Sequence, residues 1–363
     1  MKIKKSNVTF SSIVGIGQKV NKASIESGKE YLKLNRGVNA VTNINLTGVM
    51  QYINPDSNDF QIYAPNKGIE SLRKSILKEY FPSKNNIENV SITPGGMPAL
   101  DLILQILDVD KFLFPNFYWG SYSKMASIRK REYDFYDDLN HLNEMSKGNE
   151  CVFICDPNNP TGKKESDELL FDTIKNITSK GTIVIFDCPY RKLFYNDDFH
   201  NRISDLENVI ITESFSKWMG LSGLRIGFIY SNDKEFNEEL NIRLLYEFNA
   251  VSAPPQIIID KILTTDNGRI ELDKFRKETV SHITDNIKFL SDNKLLVDEI
   301  YKGEIPVGIF SIINKSEEFL FQNRIGAVGL EKFSGKEKEK WSDYSRICVS
   351  VPHDKFKSFM VSL

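Results

Sequence analysis

Apolar positions gather in short unbroken runs through the middle of the chain, with polar stretches between them long enough to hold crossover helices. "KFLFP" (111–115), "CVFIC" (151–155), "IVIFD" (183–187) and "VIIT" (209–212) are such runs. Runs of this length, rich in β-branched and aromatic residues, predict strands buried on both faces. "GGMPALDLILQIL" (95–107) opens with glycines and a proline and continues as a buried helix. The alternation predicts an α/β fold with a mostly parallel central sheet. "LRIGFIYS" (224–231) returns too soon after "VIIT" for a crossover and therefore predicts an antiparallel strand.

Beyond residue 250 the pattern changes. "DKFRKETVSHITDNIKFLSDNK" (273–294) has helical charge periodicity, and shorter apolar pieces follow, "VGIFSII" (307–313) and "YSRICVSV" (344–351). These predict a smaller α+β domain built from residues 1–45 and 251–363, beside a large domain at 46–250. The first forty residues are expected to pack on the small domain or across the cleft. The lysine-rich "SGKEKEKWSD" (334–343) is expected to be a solvated loop.

Composition narrows the function classes. The chain has 363 residues, 40% of them hydrophobic and 26% charged, enough to bury a large core. A net charge of −2 offers no broad basic field for nucleic acid or an anionic membrane, so any phosphate binding must be local. No segment has the apolar length of a signal peptide core or a membrane span, and a cytoplasmic enzyme is the expectation. Cys151, Cys155, Cys188 and Cys348 sit in or beside apolar runs without Cys-x-x-Cys spacing and are expected to be reduced core residues. His141, His200, His282 and His353 show no metal-ligand spacing, so no metal is expected. "GIGQK" (15–19) lacks the third glycine of a dinucleotide fingerprint.

Each central strand runs into special residues: "DPNNPTGK" after the second, "DCPYRK" after the third, "ESFSK" after the fourth. Right-handed crossovers would bring these segments to one rim, where open α/β sheets bind ligands. Lys217 lies on that rim, Asp187 ends the third strand, and Arg225 follows Lys217 by eight residues. A lysine, an aspartate and a phosphate cradle are what pyridoxal phosphate requires. Its aldehyde takes an amine as a Schiff base, its ring nitrogen takes a carboxylate, and its phosphate takes amides and a cation.

"NNPTGK", "FDCPY" and "SFSKxxGLSGLRxG", in that order, resemble the class I/II aminotransferases of fold type I, and the resemblance extends from "YAPNKGIESLR" (63–73) to "YSRICVSV". It implies a three-layer pyridoxal-phosphate transferase fold and assigns residues. Lys217 carries the cofactor and shuttles the proton; Asp187 holds the ring nitrogen; Asn159 and Tyr190 bind the phenolic oxygen. Gly96, Met97, Ser214 and Arg225 hold the phosphate, with Pro98 unable to donate an N–H. Trp119 stacks on the ring, with Phe117 as the alternative at a different spacing. Tyr63 reaches the neighbouring subunit's phosphate, which implies a homodimer with shared sites. Arg346 grips the substrate α-carboxylate, with Asn159 and the backbone at Gly48 of "NLTG" beside it.

The implied activity is ping-pong transfer of an amino group between an amino acid and a 2-keto acid. Dicarboxylate-specific relatives carry a further arginine before a proline-containing loop, and "YEFNAVSAPP" (246–255) has none, leaving Arg191, Arg243 or a partner-chain residue for that role. The same fold and lysine also support decarboxylases, lyases and acyl-transferring synthases, and a non-catalytic sensor of the cofactor is a further alternative.

Overall fold

The computed structural model describes residues 1–195 and 198–363. Its centre is a seven-stranded sheet formed by Val90–Thr93 (β1), Lys111–Pro115 (β2), Tyr133–Tyr136 (β3), Glu150–Cys155 (β4), Ile183–Asp187 (β5), Val209–Ser214 (β6) and Gly227–Ser231 (β7). The order is β1-β7-β6-β5-β4-β2-β3. Strands β6, β5, β4, β2 and β3 are mutually parallel, and β7 runs antiparallel to both β6 and β1. The antiparallel return expected at 224–231 is therefore present.

Alternate residues of the apolar runs feed two cores, one on each face of the sheet. Val152, Ile154, Val184, Phe186 and Ile211 join one cluster; Cys151, Phe153, Ile185 and Ile210 join the other. This period-two partition is what a helix layer on each face demands. On the second face the helix Gly96–Ile106 packs against β6 and β7. The four cysteines are free and buried.

A second sheet is antiparallel: Phe310–Ile313 (β8), Val328–Gly329 (β9) and Ser345–Cys348 (β10), in the order β9-β10-β8. The 27-residue helix Asp266–Asp292 covers the region where helical charge periodicity was read, and Thr265 caps it by accepting from Gly268 N at 3.1 Å. The N-terminal helix Ser12–Ser27 absorbs "GIGQK". Leu32–Lys33 then pairs in parallel with Ile325–Gly326.

From there the chain crosses between the two sheets. Leu34 O accepts from Cys348 N at 2.8 Å, and Ala40 N donates to Ser350 O at 2.9 Å. One expectation needs correction. Within "SGKEKEKWSD", Ser334 and Trp341 are buried, because the Trp341 ring packs edge-on against Phe117 at 4.9 Å while the lysines stay outside. Among the described residues no helix is long and apolar enough to cross a membrane.

Candidate active site

The parallel register sets the first part of the site. Cys155, Asp187 and Thr212 are neighbours in one row at the C-terminal ends of β4, β5 and β6. Across that row Thr212 Oγ1 donates to Asp187 Oδ1 at 3.1 Å, and the Tyr122 hydroxyl donates to Oδ2. Burial pushes the Asp187 carboxyl up to about 6 against the opposing pull of these two hydrogen bonds. Tyr122 lies on the helix Ser121–Ile128, with the Trp119 ring edge-on to it at 5.7 Å.

Lys217 follows β6 in a single helical turn, Phe215–Trp218, whose entry Ser214 caps by accepting from Ser216 N at 3.2 Å. Its Nζ donates to the backbone oxygen of Gly37 on the crossing segment. Burial brings the ammonium down to about 8; Cys348 opposes that fall, and the cations of Arg346, Arg225 and Arg36 add to it. At neutral pH the amine is thus much closer to its nucleophilic, neutral form than a surface lysine is.

Asn159 joins the large sheet to the small one. Its Nδ2 donates to the Tyr190 hydroxyl at 3.2 Å, and its Oδ1 accepts from Arg346 Nη1 at 3.1 Å. Arg346, on β10, also donates from Nη2 to Asn35 O and lies between the rings of Phe310 and Phe333, 4.3 and 4.4 Å from their centroids. Burial lowers its guanidinium to about 10, so it remains charged at neutral pH. Its buried Nε has no hydrogen-bond partner among the described residues. Tyr190 is buried, and its phenol is pushed well above the usual value, chiefly by burial.

At the other end, Gly95 caps the helix Gly96–Ile106 with φ +98°, and a Cβ there would come within 2.6 Å of Arg225 Nη2. Only glycine lets the guanidinium lie this close to the helix start. Gly96 faces Ser214, whose Cβ would be 3.6 Å from a Cβ added at Gly96. Arg225 itself has φ +55°, an uncommon conformation for a side-chain-bearing residue. The first helical N–H groups, an arginine and a buried hydroxyl thus converge as an anion cradle.

The remaining sequence-identified positions separate. Phe117 belongs to the cluster around Trp341, away from Tyr122. Tyr63 is 81% exposed and Met97 is 46% exposed. A Cβ built on Gly48 would meet Asn267, its nearest atom at 3.3 Å. A backbone oxygen that meets Lys217 is that of Gly37, to which the sequence assigned no role, as it assigned none to Asn35 and Thr212. For Gly37 the only local signal was a glycine just past the apolar "YLKL". Arg191 is committed to Asp156 and Asp167 at 2.8 and 2.7 Å, and Arg243 to Glu239 at 2.6 Å.

Behind the rim, Cys188, His200 and Glu213 gather with ligand atoms within 4.8 Å of one another, a grouping their spacing concealed. Burial pushes the carboxyl and thiol up and the imidazole down, favouring the neutral form of each, and Cys188 Sγ meets His200 Nε2 at 2.9 Å.

Comparison with known proteins bears on this arrangement. The family model "Aminotransferase class I and II" matches residues 29–357. A histidinol-phosphate aminotransferase of Thermoanaerobacter sp. (strain X514) is 32% identical over 229 residues, 60% of this chain and 59% of that protein. An aspartate aminotransferase of Pyrococcus horikoshii is 29% identical over 234 residues, with the same shares. The matched segments thus span less than two thirds of those relatives. A Thermus thermophilus aspartate aminotransferase double mutant superposes with a TM-score of 0.83, covering 99% of this chain and 98% of its own; at 16% identity the likeness is one of fold.

Proposed function

Because the chain belongs to the class I and II aminotransferases, a family of pyridoxal-phosphate enzymes, we propose that it moves an amino group between an amino acid and a 2-keto acid by a ping-pong route. The observation that carries this reading is the position of Lys217. A lysine held near pH 8 stands on the same rim as a buried carboxylate, an anion cradle and a buried arginine.

The residues fit the cofactor. Asp187 is a buried carboxylate held by two donors, suited to a ring nitrogen that must keep its proton. The cradle of Gly96, Met97, Ser214 and Arg225 suits a phosphate, with Met97 contributing its backbone N–H. Asn159 and Tyr190 lie together where a phenolic oxygen can accept from both, and Trp119 beside Tyr122 suits the ring face. When bound, pyridoxal phosphate supplies an aldehyde for the amine and a ring that spreads the charge left at the substrate Cα.

The chain's own groups do the rest. Arg346 binds the α-carboxylate through a forked pair and so orients the substrate, while the neutral Lys217 Nζ accepts the Cα proton. The Phe310 and Phe333 rings shield Arg346 from water and strengthen that pairing. In this reading residues 46–250 hold the cofactor, and 1–45 with 251–363 close over the substrate. The exposed Tyr63 suits contact with a second subunit's phosphate, which makes a homodimer the working assembly in this reading.

The test is to load purified protein with pyridoxal phosphate and add single amino acids without a keto acid, following absorbance. Conversion of the cofactor to its amine form, with release of a keto acid, is expected. Release of carbon dioxide without a keto acid would replace transamination by decarboxylation.

A further inference from the structure

The segment Asn35–Gly37 spans the site with its backbone. Asn35 O accepts from Arg346, Gly37 O accepts from Lys217, and Arg36 stands between them. Both flanking residues turn their carbonyl oxygens toward the reacting groups. A Cβ on Gly37 would come within 2.3 Å of the Phe310 ring, so the segment is pressed against β8 and its position is fixed.

The Arg36 side chain is exposed, and it has no ion pair or side-chain hydrogen bond among the described residues. The other arginines considered for a second substrate charge are occupied: Arg191 by Asp156 and Asp167, Arg243 by Glu239. Arg346 is held by Asn159 and Asn35, and Arg225 lies over the helix start. Arg36 also lies close enough to Lys217 to contribute to its lowered pKa.

We propose that Arg36 is the residue that reads the substrate side chain, pairing with an anionic group carried beyond Cα, whether a carboxylate or a phosphate ester. The inference rests on the aminotransferase reading and deepens it. An arginine fork suits both anions, and an unpaired guanidinium next to the reacting lysine repels a cationic side chain.

The experiment measures half-reaction rates of the cofactor-loaded enzyme with two matched pairs, glutamate against glutamine and O-phosphoserine against serine. Each is run on the wild type, Arg36→Gln and Arg36→Lys, with thermal melting as a check on folding. The wild type is expected to favour the acidic member of at least one pair. Arg36→Gln is expected to cut that preference about 10- to 100-fold, the usual weight of a hydrogen bond to a charged group, and Arg36→Lys to restore part of it. The responding pair identifies the anion. Indifference of the wild type to side-chain charge, or a preference that survives Arg36→Gln, overturns the assignment to Arg36 while leaving transamination standing. If no amino acid converts the wild-type cofactor, the aminotransferase reading fails and the Arg36 proposal falls with it.

Discussion

Lys217 Nζ donates its hydrogen bond to the backbone oxygen of Gly37, a residue 180 positions earlier in the chain. The lysine is set by β6 of the large sheet, and its acceptor by the segment laced to β10 of the small one. A Cβ at position 37 would overlap the Phe310 ring, so Gly37→Ala must displace either the ring or the segment. Overpacking of this kind costs about 1–3 kcal/mol. The variant should melt lower and lose about tenfold or more in kcat/KM, because a shifted segment takes the acceptor away from the lysine. Unchanged melting and kinetics would show that the contact is loose.

Burial, aided by neighbouring guanidinium groups, lowers the Lys217 ammonium from 10.5 to about 8. Only the neutral amine attacks an aldehyde, so capture of pyridoxal phosphate by the apoprotein should accelerate as pH rises, with its half-point near 8. Stopped-flow absorbance between pH 6 and 10 measures this directly. A rate still climbing steeply at pH 10 would mean that the amine is solvated like any surface lysine.

Arg346 and Asn159 should separate binding from turnover. Lysine at position 346 keeps a charge but cannot make the forked pair, so Arg346→Lys should raise KM for the amino acid about 10- to 150-fold. Asn159→Ala leaves the guanidinium in place and removes both the acceptor of Nη1 and the Nδ2 donor to Tyr190, so the rise in KM should be smaller, roughly tenfold, with part of the loss falling on kcat. Equal effects from both variants would argue against a direct pairing of Arg346 with the carboxylate.

The sheet was legible where its strands were apolar on both faces: β2 and β5 coincide with the runs read from sequence, and β4 and β6 extend theirs by one and two residues. The edge strand β3 was not, because Tyr133 and Asp134 are exposed and break the apolar pattern. Lys217, Asp187, Asn159 and Tyr190 could be found because each directly follows or ends a readable strand. Gly37 and Asn35 contribute backbone oxygens, which leave no side-chain signature, and their partners lie in distant parts of the chain. The grouping of Cys188, His200 and Glu213 was hidden for the same reason, since side chains from separate elements meet only after folding.

Asp187 carries a cost that its own substitution should reveal. Burial raises its carboxyl from 3.8 to about 6, so the fold favours the protonated form. That contribution to stability is complete below the unfolded value of 3.8 and is lost as pH rises through about 6. By pH 8 the apoprotein should have forfeited ~3 kcal/mol, to the accuracy with which such a shift converts to free energy. Asparagine cannot ionise, so Asp187→Asn should lack this share of the fall, and its stability relative to the wild type should rise by most of that amount between pH 4 and pH 8. Asp156, also raised to about 6 by burial, contributes a similar fall in both proteins, so the quantity to measure is the difference between their urea-unfolding free energies at pH 4 and pH 8. The same variant should lose about 100-fold or more in kcat, since the ring nitrogen would no longer face a carboxylate. A difference that stays constant with pH would show that Asp187 is already ionised in the acid range and is held there by Tyr122 and Thr212.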